Sequence, residues 1–459
     1  MFKKIVFLIL ISFLVSTVGY AAEETATQRS LDATWVMTAT IIVFLMHAGF
    51  VALEIGFTRS KNALSILMKN VLTISILPIL YLFFGFALMY GSSAFGLIGT
   101  DGFFLLGYDT DLSFFIFQAV FAATCASILS GAVAERIKLS SYLIAAIAMG
   151  IFIYPVIGHW TWGGGWLAEL GFIDFAGSSV LHLAAAIGAA IMAMALGGRI
   201  GKYSKGKVNA IPAHNIPLGA IGVFILWWGW FGFNGGSALA ADPDLVPLII
   251  TNTFMASCAG VIAAALYCMY RFKRIDATLT LNGALGGLVG ITAGADSFTM
   301  FGSLFTGFIA GIILVESVQI IDQRLKIDDP VGAIAVHGVC GVWGTMAIAF
   351  FSTDVGLLHG GALAQVWIQL LGVIIITLWV TITMGGLVIA MKAFGSIRVP
   401  REVEIEGLDI AEHGGMAYNL HGDIMEPTGP VQMDIKGSFN LADRLNSLGK
   451  TVPGEQRQT

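Results

Sequence analysis

The chain has 459 residues, of which 57% are hydrophobic and only 12% are charged. This composition is typical of a protein that crosses a membrane several times, and it excludes a soluble globular enzyme or module. The charged residues, with a net charge of −5, form no basic face that would suggest a nucleic-acid partner. The four cysteines, Cys125, Cys258, Cys268 and Cys340, lie in apolar segments without metal-ligand spacing, so neither disulfides nor a metal site are predicted.

The first 22 residues have the pattern of a secretory signal peptide. Lys3 and Lys4 precede an apolar run that extends from Ile5 to about Val18, and the small residues Ala21 and Ala22 follow. The alternative is an uncleaved first span, although the run is short for a membrane helix. Cleavage after residue 22 would leave the mature N-terminus outside the cell.

The remaining chain contains apolar stretches that are long enough to cross a bilayer. They predict an all-α integral membrane protein with eleven transmembrane helices in a domain of residues 23–394, followed by a cytoplasmic tail of residues 395–459. The predicted segments are 35–57, 64–90, 112–134, 139–159, 179–198, 216–238, 246–270, 279–293, 300–321, 331–351 and 364–394.

The connections between these segments alternate in charge. Those near residues 91–111, 160–178, 239–245, 294–299 and 352–363 carry no lysine or arginine, whereas the alternate set is basic. By the positive-inside rule the basic set is cytoplasmic, which places the N-terminus outside and the C-terminus inside. The fifth and tenth helices then run in opposite directions, as in two five-helix halves that are inverted in the membrane, with a final helix added.

Two histidines lie in matched positions within these inverted halves. His182 and His337 each follow an aspartate, Asp174 and Asp329, by eight residues. If each aspartate opens its helix, both rings lie about 12 Å from a helix start, near the middle of the bilayer. Each aspartate can cap the positive end of its helix without touching a substrate. An ionisable ring at that depth is costly and favours a substrate or proton path.

Aromatic residues gather where predicted helices end on the outer side. Trp162 beside the hydroxyl of Ser237 suits a small cation, through cation–π attraction and an oxygen acceptor, although most tryptophans at a membrane face form an interfacial belt. Phe117 and Phe121 lie four residues apart on one face of helix three. Either they pack in the core or they form a hydrophobic constriction that opposes a hydrated ion.

The role of the histidines depends on their charge. Neutral imidazoles can hydrogen-bond a passing amine and share a proton, and burial favours neutrality. The alternative is two buried histidines that only bond their neighbours. His47 is interpreted as a packing residue, and Glu54 and Glu316, near cytoplasmic helix ends, are interpreted as structural.

Several motifs in order resemble the ammonium transporter (Amt/Mep/Rh) family, on its bacterial Amt side, over about residues 35–420. They are Gly131-Ala-Val-Ala-Glu-Arg-Ile-Lys138, Trp162-Gly-Gly-Gly165, Asp174-Phe-Ala-Gly177 with His182, Gly229-Trp-Phe-Gly-Phe-Asn234 with Ser237, and Asp328-Asp-Pro330 followed by His337-Gly-Val-Cys-Gly341. The resemblance implies a homotrimer with one pore per subunit that conducts ammonium nitrogen, and possession of neither a cofactor nor an enzyme active site.

The family's functional positions fall on named residues of this chain. By resemblance, the ammonium-recruitment site comprises Trp162, Ser237 and Phe121, with Asp174 in support. The pore gate and lining comprise Phe117, Phe121, Phe233 and Trp230, and the twin pore histidines are His182 and His337. One departure is Gly332, where some family members carry an acidic residue.

The tail from Arg398 to Tyr418 resembles the family's regulatory tail, which contacts neighbouring subunits and can bind PII-type regulatory proteins. The sequence therefore predicts a transporter of ammonium, with methylammonium as a further substrate, in the bacterial inner membrane. Two alternatives stay open: an ammonium sensor that signals through its tail, and a passive ammonia channel.

Overall fold

The computed structural model describes residues 25–107 and 111–418. The signal-peptide prediction and the tail beyond residue 418 lie outside this part of the chain. Within it, ten helices are long and apolar enough to cross a membrane, and an eleventh apolar helix is shorter. The helices are α1 (Thr25–Phe57), α2 (Ser60–Tyr90), α3 (Leu112–Ala132), α4 (Leu139–Glu169, interrupted after Thr161), α5 (Ser178–Leu196), α6 (Ile216–Gly236), α7 (Leu245–Phe272), α8 (Ala277–Ile291), α9 (Met300–Arg324), α10 (Ile334–Phe351) and α11 (Ala364–Phe394).

The eleven predicted spans are confirmed as helices in the predicted order. The eighth, α8, is the short one, with 15 residues. The connecting segments add only small elements: the hairpins β1 (Ser93–Ala94) with β2 (Ile98–Gly99) and β3 (Tyr203–Ser204) with β4 (Lys207–Val208), short 3-10 turns at Phe103–Leu105 and Leu357–His359, and the tail helices α12 (Arg401–Glu406) and α13 (Leu408–His413).

The first helices of the two halves pack against each other in opposite directions. At the α1–α6 contact, the backbone of Gly222 is so close to Leu53 that a Cβ on Gly222 would lie 2.3 Å from the Leu53 amide nitrogen. Further along, Met46 faces Gly229 and Ala39 faces Gly232. The residue numbers therefore decrease along α1 as they increase along α6. Small residues at such contacts let helices pack tightly where no hydrophobic effect drives association. This antiparallel contact joins the two halves.

Several helices contain wide π-helical turns. Two of them are Ser178–Leu183, which opens α5, and Ile334–Val339, which opens α10. The others are Tyr81–Gly85, Met149–Ile153 and Ile320–Arg324. Turns of this kind inside α-helices occur frequently at functional sites, and the two that open α5 and α10 contain His182 and His337.

A buried ion-pair cluster joins four of the basic loops. Arg199 donates to Glu135 at 2.8 Å and to both oxygens of Asp328 at 2.9 Å. Arg59 also pairs with Glu135. Burial raises the pKa of Asp328, but the hydrogen bonds and charge of Arg199 outweigh burial and lower it to about 2. Asp328 is therefore a stable anion that holds the loop before α10.

The described part of the tail docks on the same face as these basic loops. The Lys138 amide donates to the carbonyl oxygen of Ile397 in the tail, and the tail's Val399 amide donates to the carbonyl oxygen of Arg136. Its carboxylates accept hydrogen bonds from amides near the starts of α2 and α4 and in the loop after α5. These contacts are Asp409 with the Leu64 and Ser65 amides, Glu412 with the Leu139 amide, and Glu404 with the Ile200 amide.

Candidate functional site

A cavity of about 230 Å³ lies where α3, α4 and α6 meet. We name it the Trp162–Ser237 cavity. Four residues that the sequence singled out, Trp162, Ser237, Phe121 and Phe117, all line it. The full lining is Tyr90, Phe114, Phe117, Gln118, Phe121, Trp162, Phe175, Ser237 and Leu239. Residues that lie up to 149 positions apart in the chain, from Tyr90 to Leu239, thus form one mainly aromatic pocket.

Two polar residues at this cavity, Trp162 and Ser237, donate hydrogen bonds to backbone carbonyl oxygens. The Trp162 indole Nε1 donates to the Asp174 carbonyl oxygen at 2.7 Å. The Ser237 hydroxyl donates to the carbonyl oxygen of Phe233 at 2.9 Å, one turn earlier in α6. Because the hydroxyl proton is used within the helix, the serine presents its oxygen lone pairs as acceptors. An aromatic face and an oxygen acceptor suit a small cation with N–H donors.

Asp174 supports this arrangement from outside the cavity. Its two carboxylate oxygens accept four backbone bonds of 2.7–2.9 Å, from the amides of Gly177, Ser178, Ser179 and Val180. Burial raises the pKa of Asp174 to about 6 against the opposing effect of these bonds. The predicted capping role is confirmed. The same residue fixes the first turn of α5 with its carboxylate and Trp162 with its carbonyl.

Below the cavity, aromatic rings form a closed barrier. Phe117 and Phe121 have ring centroids 4.6 Å apart, and Phe121 stacks on Phe233 at 4.0 Å. Phe121 and Phe233 are 1% and 0% exposed. Trp230 lies beside Phe233 at 5.5 Å and is fixed by its indole bond to the Thr292 hydroxyl at 2.9 Å. A hydrated ion does not fit through such a stack.

The two histidines follow directly beneath the barrier. The His182 ring lies 5.5 Å from Phe233 and 5.0 Å from Trp230, and it stacks on His337 at 5.2 Å. Their Nδ1 atoms are 3.2 Å apart. One hydrogen lies between two such nitrogens, so one ring donates and the other accepts. The two rings are thus locked as opposite tautomers or share one proton.

The predicted depth of the histidines within their helices is wrong. His182 is the fifth residue of α5 and His337 the fourth of α10, so neither lies eight residues inside its helix. The reason is that both aspartates cap their helices from outside, across a turn. Asp329 accepts bonds from Gly332 at 3.0 Å and Ile334 at 2.7 Å. Each histidine therefore stands in the first turn of its helix.

A second cavity, of about 210 Å³, lies at the start of α10. We name it the Asp329 cavity. It is more polar than the first, and the ion pair between Lys202 and Asp322, at 2.9 Å, borders it. Its lining is Arg199, Lys202, Ala210, Ile211, Val318, Ile321, Asp322, Ile327, Asp329, Pro330, Gly332 and Ala335. The barrier and the histidines thus stand between an aromatic cavity and a polar one.

The family model for the Ammonium Transporter Family matches residues 34–418. The chain belongs to this family. A putative ammonium transporter of Synechocystis sp. is 39% identical over 418 residues, which cover 86% of this chain and 92% of the relative. The ammonium transporter Amt2 of Archaeoglobus fulgidus is also 39% identical, over 91% of this chain and 95% of its own.

Solved structures of the family share the fold. A protein described as a sensor Amt protein has 40% identity and a TM-score of 0.82, and the match covers 85% of this chain and all of the solved one. Mep2 of Candida albicans has 29% identity and a TM-score of 0.75, over 81% of this chain and 87% of its own. The chain is thus a multi-pass membrane protein of the ammonium transporter family.

Some residues that line the Trp162–Ser237 cavity of this transporter family member were not predicted from the sequence. Gln118 lines the Trp162–Ser237 cavity, and its Oε1 is buried without a hydrogen-bond partner among the described residues. Tyr90 and Phe175 also line it. A lone glutamine in an apolar helix and aromatics at loop ends have no spacing that marks them. Gly332, the departure from some relatives, lines the Asp329 cavity, so no side chain stands there.

Proposed function

We propose that this protein transports ammonium across the bacterial inner membrane and that the Trp162–Ser237 cavity recruits the ion. The cation lies against the Trp162 and Phe121 rings and donates hydrogen bonds to Ser237. Cation–π attraction contributes about 0.5–2 kcal/mol at such a partly exposed site. The observation that carries the proposal is the continuous file from this cavity through Phe121 and Phe233 to His182 and His337.

The aromatic barrier makes deprotonation the basis of selectivity. Moving an unpaired ion through an apolar constriction costs up to tens of kcal/mol in a continuum estimate, whereas a neutral amine costs a few. Ammonium can lose a proton and cross as ammonia, and potassium cannot. Phe117, Phe121 and Phe233, with Trp230 beside them, act as the gate and lining.

His182 and His337 form the line that ammonia follows beyond the barrier. Their rings offer a hydrogen-bond donor and an acceptor to a passing amine. Ammonia and the proton recombine in the Asp329 cavity. Asp174 positions Trp162 and the start of α5 and does not bind the substrate.

Orientation and assembly complete the proposal. The signal peptide, residues 1–22, is removed, the N-terminus lies outside, and the tail lies in the cytoplasm. Three subunits form a homotrimer in the lipid bilayer, and a PII-type protein binds the tail. The basic loops and the docked tail on one face of the molecule support this orientation.

Electrical recording on proteoliposomes tests the transport mechanism. Pulses of ammonium, methylammonium and potassium are applied at several pH values to the wild type and to the double variant His182→Ala, His337→Ala. We expect saturable ammonium and methylammonium currents without a potassium current, and reduced ammonium selectivity in the double variant. Unchanged selectivity in the double variant would contradict the role of the two histidines in the ammonia path.

A second candidate is an ammonium sensor, which the 40% identity to a protein described as a sensor Amt protein favours. Preserved ammonium binding with no flux would support sensing. Ammonia flux without current would indicate a passive channel.

A further inference from the structure

A buried polar file runs along the α1–α3 contact and is not part of the histidine path. It contains Glu54, which is 1% exposed, and Lys69, which is 2% exposed. Both lie within helices that are apolar enough to span the membrane. Ionisable residues at such positions are costly and are usually functional. Glu54 was interpreted from the sequence as a structural residue near a helix end, but its side chain is buried away from the membrane–water interface.

Glu54 and Lys69 are joined through Ser130. The Ser130 hydroxyl donates to Glu54 Oε2 at 2.6 Å, and the Lys69 ammonium donates to the Ser130 carbonyl at 3.1 Å. Asn70 adds a longer bond of 3.4 Å to the same carboxylate oxygen. The Lys69 ammonium also lies 5.3 Å from the centroid of the Tyr142 ring. The anion and cation therefore stabilise each other while the carboxylate is bound by hydroxyl and amide donors.

The file continues towards the aromatic barrier. His47 lies seven residues before Glu54 on the same face of α1, and its Nδ1 contacts the Ser127 hydroxyl at 3.3 Å. Its Nε2 is buried without a hydrogen-bond partner among the described residues. Ser127 and Ser130 are one turn apart in α3, below Phe121. At 1.5 Å per residue, Ser130 lies about 14 Å along α3 from the barrier.

The other end of the file adjoins the Asp329 cavity. A Cβ on Gly131 would lie 2.5 Å from Val331 Cγ2 and 3.6 Å from Glu54 Cγ. Because Gly131 has no side chain, the Val331 and Glu54 side chains both lie against its backbone. Val331 stands between Pro330 and Gly332, which both line the cavity. One valine side chain therefore separates Glu54 from the cavity.

We propose that Glu54 is the proton acceptor through which the proton from ammonium reaches the Asp329 cavity. Ammonium dissociates into ammonia and a proton; ammonia follows the histidines, and the proton passes by His47 and the serines to the Glu54 carboxylate. The resulting carboxylic acid gives the proton to water in the cavity, where ammonia takes it up. Ser130 and Lys69 fix the position of the carboxylate between cycles. This inference rests on the proposed transport function.

The charges that surround this file come from four elements. Glu54 lies on α1 and Lys69 on α2, and Glu135 and Arg136 face Lys69 from the loop before α4. The tail contributes Glu412, which accepts a bond from the Ser65 hydroxyl at 3.0 Å, one turn from Lys69 on α2.

The test compares Glu54→Gln with a matched carboxylate variant, Glu316→Gln. Glu316 also lies in a membrane-spanning helix, but its carboxylate accepts hydrogen bonds from Tyr267 and Arg271 on α7. The purified full-length protein is reconstituted in liposomes, and the ammonium current and the internal pH are recorded together. We expect Glu54→Gln to lower the current at least about tenfold, as for loss of a proton-transfer group. Glu316→Gln keeps the wild-type current.

The half-saturating ammonium concentration stays at the wild-type value in Glu54→Gln, because the recruitment cavity is intact. Ammonia still enters, so the internal pH rises, and Glu54→Asp recovers part of the current.

Equal currents in both glutamine variants would overturn the inference, whereas a silent wild type would overturn the proposed function instead. If Glu54→Gln does not fold, Ser130→Ala replaces it: a lowered current at unchanged half-saturation supports the inference, and a wild-type current overturns it.

Discussion

Replacement of Asp174 by alanine separates a structural role of this carboxylate from direct substrate binding. The variant removes the acceptor of four buried amides at the start of α5. Because the Asp174 carbonyl remains, the bond to the Trp162 indole is lost only if the backbone moves. We expect the variant to be unstable at the first turn of α5 and, as a consequence, to bind ammonium weakly.

The magnitude follows from the bonds. Each buried amide without an acceptor costs about 1–3 kcal/mol, so four cost about 4–12 kcal/mol. Against this, the variant no longer buries a carboxylate, which offsets part of the cost. We therefore expect a loss at the lower end of the range, about 4 kcal/mol.

Thermal unfolding in detergent, followed by tryptophan fluorescence, measures the loss. We expect the Tm of Asp174→Ala to fall by roughly 5 °C or more, given the size of the protein. Asp329→Ala is the control, because Asp329 caps α10 with fewer and longer bonds and should cost less. An unchanged Tm together with lost ammonium affinity would refute the reasoning, since the carboxylate would then contact the ion itself.

Three further predictions address the cavity, the barrier and the ion-pair cluster. Trp162→Leu should raise the half-saturating ammonium concentration by about 2- to 30-fold, equivalent to the cation–π energy, while Trp228→Leu, on the exposed face of α6, should not; equal effects of the two would contradict the cavity assignment. Phe233→Ala should admit a potassium current in proteoliposomes, because the ring that joins Phe121 to His182 is gone, and an absent potassium current would show that the gate lies elsewhere. Asp328 has a pKa lowered from 3.8 to about 2, so its stabilisation, about 2 kcal/mol, is present above pH 4 and lost as the pH falls towards 2. Asp328→Asn should therefore unfold at a lower temperature at pH 5 and show a smaller further decrease between pH 5 and pH 3 than the wild type.

Membrane-spanning helices were predictable because their signal is long and local. An apolar run of about 20 residues has few alternatives in a bilayer, so the order of the helices follows directly. The matched aspartates and histidines also predicted the capping of α5 and α10, since a carboxylate before a helix binds its first amides. The depth of the two histidines was misjudged because the turn between each aspartate and its helix leaves no mark in the sequence.

Contacts between distant helices were predictable where aromatic residues gathered at helix ends on the outer side. Trp162 and Ser237 were placed at one site from that pattern and by the family resemblance, whereas Gln118 beside them was missed. Glu54 was interpreted as structural because it lies near the cytoplasmic end of an apolar segment. Its actual burial depends on Ser130 and Lys69, which come from two other helices, and no periodicity within α1 reports such partners.

The wide turns that open α5 and α10 determine where the two imidazoles face. A π-turn holds one residue more than an α-turn, so each of these helix starts behaves as if a residue had been inserted. Removing one residue between Gly177 and His182 would restore a regular winding and rotate the ring by about 100° relative to the rest of α5. The facing of the two rings is therefore sensitive to the number of residues in each turn as well as to their identity, and shortening either turn would direct an imidazole away from the other.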